Sequence, residues 1–140
     1  MLRVTADTNI IISALNFHGN PRKVIDLAAD GSIRLFVSDA ILDEVADVLA
    51  RPKFGWPDDR IKRALVQMSH FMEHVEPTQR LDVVKDDPDD NRILECALAS
   101  GSDYLISGDK HLLKLGKYGA VKIISPAEFV EIQAQQGQGR

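Results

Sequence analysis

The chain has 140 residues, 44% of them hydrophobic and 27% charged, enough for one domain with a single core and too few for a second. No apolar run approaches the ~20 residues of a membrane-crossing helix, and Met1 leads into a strand-like segment without a basic leader, so a cytoplasmic protein is expected. The formal net charge of −4 argues against a protein that coats nucleic acid through a basic face. The single cysteine, Cys96, falls in a helical pattern, cannot form an internal disulfide and is expected as a buried, inert thiol.

In chain order, residues 2–6 read as a strand, 9–16 and 21–30 as helices, and 33–37 (IRLFV) as a short buried strand. Ser38 is positioned to cap a helix over 39–50 that stops before Pro52, and Ile61, Leu65, Met68 and Met72 carry helical spacing through 58–73. "HVEP" and "LDVV" within 74–84 read as extended pieces. A helix over 88–100, a strand at 104–107, a short helix at 110–115, a strand at 121–124 and a last helix from Pro126 follow. The domain is expected to span 1–132, with "QAQQGQGR" (133–140) as a polar, frayed tail. Helices separating short Val-, Ile- and Leu-rich strands imply right-handed crossovers, hence an α/β fold: a three-layer α/β/α sandwich around a central parallel sheet.

In such sheets the functional crevice lies beyond the carboxyl ends of the strands, and Asp7 and Asp109 both fall just past predicted strand ends. Helical geometry sorts the other acids, since each residue advances about 100°. On the helix of Ile41, Leu42, Val45, Val48 and Leu49, Asp43 and Asp47 lie opposite the apolar stripe while Glu44 lies at its border. In "DDPDDNRILECALAS", Asp90 stands three, four and seven residues before Ile93, Leu94 and Ala97 and so points inward; Arg92 and Glu95 are expected to face solvent. Capping competes as an explanation: Asp87, Pro88 and Asp90 resemble a capping box, and Asp109 precedes a short helix. Asp7 lies before the expected caps, Thr8 or Asn9, so no local partner is foreseen for it.

Four carboxylates converging on one region would repel by roughly 3 kcal/mol per pair at 5 Å and an effective dielectric near 20. They must share protons or hold cations, and an all-oxygen set without His or Cys suits Mg²⁺ or Mn²⁺. Removing Asp7, Glu44, Asp90 and Asp109 from the 21 acidic residues leaves 17, against 17 Lys and Arg, so the acidic balance does not exclude a nucleic-acid substrate.

"TADTNIIISAL", "ILDEVADVLARPKF", "DPDDNRILECALAS" and "DYLISGDKHLL", in this order and spacing, resemble the PIN-domain family, specifically its VapC-like toxins of toxin–antitoxin pairs. The resemblance covers the chain to about residue 130 and implies a metal-dependent endoribonuclease that hydrolyses single-stranded RNA, leaving a 5′-phosphate and a 3′-hydroxyl. It assigns Asp7, Glu44, Asp90 and Asp109 as the catalytic, Mg²⁺- or Mn²⁺-binding quartet. Glu44 would serve a second metal or orient water, and Asn9 and Ser107 would hold waters or the scissile phosphate. A cognate antitoxin is the partner it implies, and part of the stripe Ile61, Leu65, Met68 and Met72, otherwise core, is with nearby helix surface the candidate homodimer or antitoxin contact; a non-catalytic RNA- or protein-binding module, or an RNA-processing nuclease outside such a pair, is the alternative.

"RPKFGWPDDRIKR" mixes Arg51 and Lys53 with Phe54 and Trp56, as an RNA-gripping loop would, although a Pro-bounded loop plugging the core edge gives the same composition. Lys110, beside Asp109, is a phosphate-contact candidate. An aspartyl-nucleophile phosphatase favours Asp-x-Asp where this chain has "DTN", and a phospho-receiver domain needs paired acids after its first strand, where Asp7 stands alone.

Overall fold

The computed structural model describes residues 1–138. Its elements are β1 (Arg3–Ala6), α1 (Thr8–Asn16), α2 (Asn20–Ala29), β2 (Arg34–Val37), α3 (Asp39–Ala50), α4 (Asp58–Ser69), β3 (Met72–His74), α5 (Pro88–Ala99), β4 (Tyr104–Ile106), α6 (Lys110–Leu115), β5 (Lys117–Tyr118), β6 (Val121–Ile124) and α7 (Pro126–Gln138). They form a six-stranded sheet in the order β3-β2-β1-β4-β6-β5.

All pairings are parallel except that of β5, a two-residue edge strand folded antiparallel onto β6. Gly116, at φ 75°, makes the sharp exit from α6 that this edge requires. Chain movement from β1 to β2 to β3 runs one way across the sheet and from β3 back to β4 and β6 the other, so right-handed crossovers put α1–α4 on one face and α5 on the opposite one. Helix α5 packs on β1, β2 and β4, and α7 packs on α2. The three-layer α/β/α arrangement expected from the sequence is thereby confirmed.

The core is built by Val4 and Ala6 of β1, Leu35, Phe36 and Val37 of β2, and Leu105 and Ile106 of β4, covered by Ile11, Ile41, Val45, Leu49, Leu94 and Phe129. Cys96 is fully buried, and desolvation pushes its thiol up to about 11, as expected of an inert residue.

Several local expectations change. Helix α4 ends at Ser69, and Met72, read as the last residue of its stripe, instead pairs with Leu35 as the start of β3. "LDVV" forms no strand; its backbone is bound by side chains of α5. Arg92 and Glu95, expected in solvent, are an ion pair at 2.8 Å with Glu95 buried, because the segment after β3 folds over that side of α5. Ala- and Gln-rich sequence continues α7 through residues 133–138 of the predicted tail, and residues 139–140 lie outside the described residues.

Candidate active site

Chain direction across the sheet reverses between β1 and β4, and the two loops leaving their carboxyl ends open a crevice there. Asp7 leaves β1 and is itself the N-cap of α1. The helix starts one residue earlier than the sequence pattern indicates, so the expectation that Asp7 lacks a local partner is corrected: Oδ1 accepts from the Ile10 N–H at 2.9 Å. Oδ2 accepts from the Ser107 hydroxyl. The carboxylate is 2% exposed, and burial, with the charge of Asp109, holds its pKa above the usual range against the pull of these hydrogen bonds.

Asp109 follows β4 and caps α6, its Oδ2 accepting from the His111 and Leu112 N–H groups at 3.0 and 3.1 Å. Burial raises its pKa, but the helix N–H groups and a hydrogen bond from Asp90 outweigh burial and hold it below the usual range. Ser107 joins the two loops, its oxygen donating to Asp7 and accepting from the Asp109 N–H at 2.9 Å.

Asp90 enters from the first turn of α5, where the stripe read in the sequence aims it inward. It is 5% exposed, and Oδ2 is buried without a hydrogen-bond partner. Burial first, then its hydrogen bond to Asp109 and the charges of Asp109, Asp87 and Asp7, push its pKa up to about 8. Asp87, the N-cap of α5, completes this cluster: one carboxylate oxygen from each of Asp87, Asp90 and Asp109 lies within 4.8 Å of the others. Capping was the foremost sequence reading of Asp87; its three-residue spacing from Asp90, on one side of a first helical turn, was the available signal for more. Glu44 approaches from the middle of α3, half-buried, and accepts from the Thr8 hydroxyl at 3.1 Å. Burial raises its pKa, with Asp89, Asp87 and Asp7 adding to the effect.

Unit charges at these separations repel by roughly 3–4 kcal/mol per pair at an effective dielectric of 20. Asp90 therefore either keeps a proton or faces a cation. The orphaned buried oxygen and the all-oxygen donor set fit a hard divalent ion.

The remaining candidates divide. Asn9 and Lys110 are exposed and line, with Ser13, Gly108 and Asp109, an open groove of about 580 Å³ beside the acids. Ser107 is fully buried with its hydroxyl engaged on both sides, which corrects its assignment to substrate contact: it fixes Asp7 to the Asp109 loop. Arg51 and Lys53 lie past the far end of α3, Arg51 paired with Asp47 at 2.8 Å, and Trp56 is buried with its indole N–H on Asn16 at 3.3 Å. That loop seals the opposite end of α1 and does not reach the acids.

The family model for the PIN domain matches residues 3–111. The chain belongs to the PIN domain family, a family of nucleases. It is 32% identical to the uncharacterized protein MJ1680 of Methanocaldococcus jannaschii, over 93% of this chain and 90% of that protein. Among solved structures, a chain of the VapBC2 complex of Rickettsia felis, bound to a DNA fragment from its promoter, superposes with a TM-score of 0.63. Identity there is 15%, over 89% of this chain and 98% of that one. A chain of FitAB bound to the IR36 DNA fragment gives a TM-score of 0.55 at 16% identity, over 88% and 94%. At these identities the structural likeness establishes the fold.

Proposed function

We propose that the protein is a Mg²⁺- or Mn²⁺-dependent endoribonuclease that hydrolyses single-stranded RNA, acting in the cytoplasm as the toxin of a toxin–antitoxin pair. The observation that carries the reading is the buried, unpartnered Asp90 Oδ2 among carboxylates from separate elements at the head of a parallel sheet. Asp7, Asp90 and Asp109 hold the cation, and Glu44 holds a second one or aligns the attacking water. The bound ion supplies the Lewis acidity that activates water and offsets charge on the scissile phosphate.

The chain's own residues do the rest. Ser107 and the Ile10 N–H keep Asp7 in one orientation, and the first turn of α6 does the same for Asp109. Lys110 and Asn9 present a charge and an amide to an RNA strand lying in the open groove. The antitoxin partner is supported by the fold's likeness to chains solved in VapBC and FitAB complexes. A homodimer is part of the same reading.

The test is cleavage of end-labelled single-stranded RNA. Cuts leaving a 5′-phosphate are expected with Mg²⁺ or Mn²⁺, disappear in EDTA and return when the ion is restored. Undiminished cleavage in EDTA, or none under any condition, would defeat the assignment.

A further inference from the structure

Between His74 and Pro88 the chain crosses from the edge of the sheet to the active-site crevice without regular structure. Beyond Val75, whose N–H donates to Val37, residues 76–86 make no backbone–backbone hydrogen bonds among the described residues. Buried backbone groups must find partners, and where this largely exposed segment is covered, at Leu81, Val83 and Val84, the partners are side chains of α5. Asn91, 1% exposed, accepts from the Val83 and Val84 N–H groups at 2.8 and 2.9 Å and donates to the Val84 carbonyl at 2.9 Å. Its amide thereby does for the strap what a neighbouring strand does in a ladder. One turn along, Glu95 accepts from the Leu81 N–H at 2.7 Å, and Arg92 donates to the Leu81 carbonyl at 2.9 Å. The strap so anchored ends at Asp87, which shares the acid cluster with Asp109 and with Asp90, whose Oδ2 is buried and unpartnered.

We propose that Asn91 is a positioning residue of the cation site: by binding the backbone of residues 83–84 it holds the strap that delivers Asp87 to Asp90 and Asp109 as a further cation ligand. This rests on the reading of the acids as a cation site. The competing account is that Asp87 is set by its own capping bond to the Asp89 N–H, at 3.3 Å, and that Asn91 only stabilises the fold.

A double-mutant cycle read by Mn²⁺ affinity, with no substrate present, separates the two. Asp87→Asn and Asn91→Ala are each expected to weaken Mn²⁺ binding about 10- to 100-fold, the range for groups that orient or support metal ligands. The double variant is expected to bind no more weakly than Asp87→Asn alone, because without the Asp87 charge nothing remains for the latch to deliver. Amide exchange at Val83 and Val84 should accelerate in metal-free Asn91→Ala while that of β1 stays slow.

Wild-type Mn²⁺ affinity in Asn91→Ala, multiplicative losses in the double variant, or equal acceleration of exchange in β1 would overturn the proposal and leave the cation site standing. Failure of the wild-type protein to bind Mn²⁺ would overturn both. Where Asn91→Ala does not fold, Glu95→Gln loosens the second anchor of the strap from outside the acid cluster and takes its place in the cycle.

Discussion

The two ends of α1 offer opposite electrostatic environments. At its C-terminal end Asn16 receives the Trp56 indole, the Arg60 guanidinium stacks 3.7 Å from that ring, and Arg51 pairs with Asp47. Charge and aromatic surface there satisfy one another. At its N-terminal end Asp7, Asp90, Asp87 and Asp109 are gathered with no lysine or arginine bridged to any of them among the described residues. A basic, aromatic stretch that reads in the sequence either as an RNA grip or as a plug of the core edge buries its Trp56 as a plug; acids that could be caps are caps, and still leave repulsion unresolved. Composition alone distinguishes neither end, whereas the presence or absence of a compensating partner does.

Removing the orphaned carboxyl group breaks the contrast most directly. Asp90→Asn is expected to lower RNA cleavage and Mn²⁺ affinity by about 100-fold or more, above the usual range for supporting residues, while circular dichroism shows an intact fold. At the other end, Trp56→Ala should cost about 3–5 kcal/mol of stability, as for other buried aromatics, measurable by denaturant titration. Under folding conditions it should leave Mn²⁺ affinity unchanged; a Trp56→Ala variant of normal stability that loses RNA binding would restore the grip reading.

The acid cluster also sets a pH dependence. Folded, Asp90 keeps its proton up to about pH 8, whereas the unfolded chain releases it near the ordinary value of 3.8. Between those values the folded state binds more protons than the unfolded one, so the stability of the metal-free protein falls as pH rises across that window. The raised pKa values of Asp7 and Glu44 act in the same direction. Thermal midpoints in EDTA should therefore decline from pH 5 to pH 8, less steeply in Asp90→Asn. Saturating Mn²⁺ should offset the decline by binding the folded state alone.

What was legible follows the range of the interactions. β1, β2, β4 and β6 announce themselves as short apolar runs, and the inward aim of Asp90 follows from its own helix. Met72 continued a flawless helical period and was claimed by Leu35 across the sheet, a tertiary contact that overrides local pattern. Glu95 points away from its helix's stripe and is buried only because a strap from a distant element lies on it, which no count along α5 can show. The start of α1 at Thr8 differs by a single residue from the pattern, at a helix boundary, the least legible feature of any sequence, and capping explains Asp87 so fully that its three-residue spacing from Asp90 does not stand out.

The smallest effect tests the logic most closely. Asp43 precedes Glu44 on α3, carries the same charge and is exposed. If the crevice acted through bulk negative potential, neutralising either residue would relieve the same field. If it acts through placed ligands, Asp43→Asn should change stability by no more than about 0.5 kcal/mol, the usual span for surface positions, and leave cleavage intact. Glu44, held by Thr8 and raised in pKa by burial and its acidic neighbours, has a geometry that its neighbour lacks. Equal losses of cleavage in Asp43→Asn and Glu44→Gln would make field, not geometry, the determinant of this site.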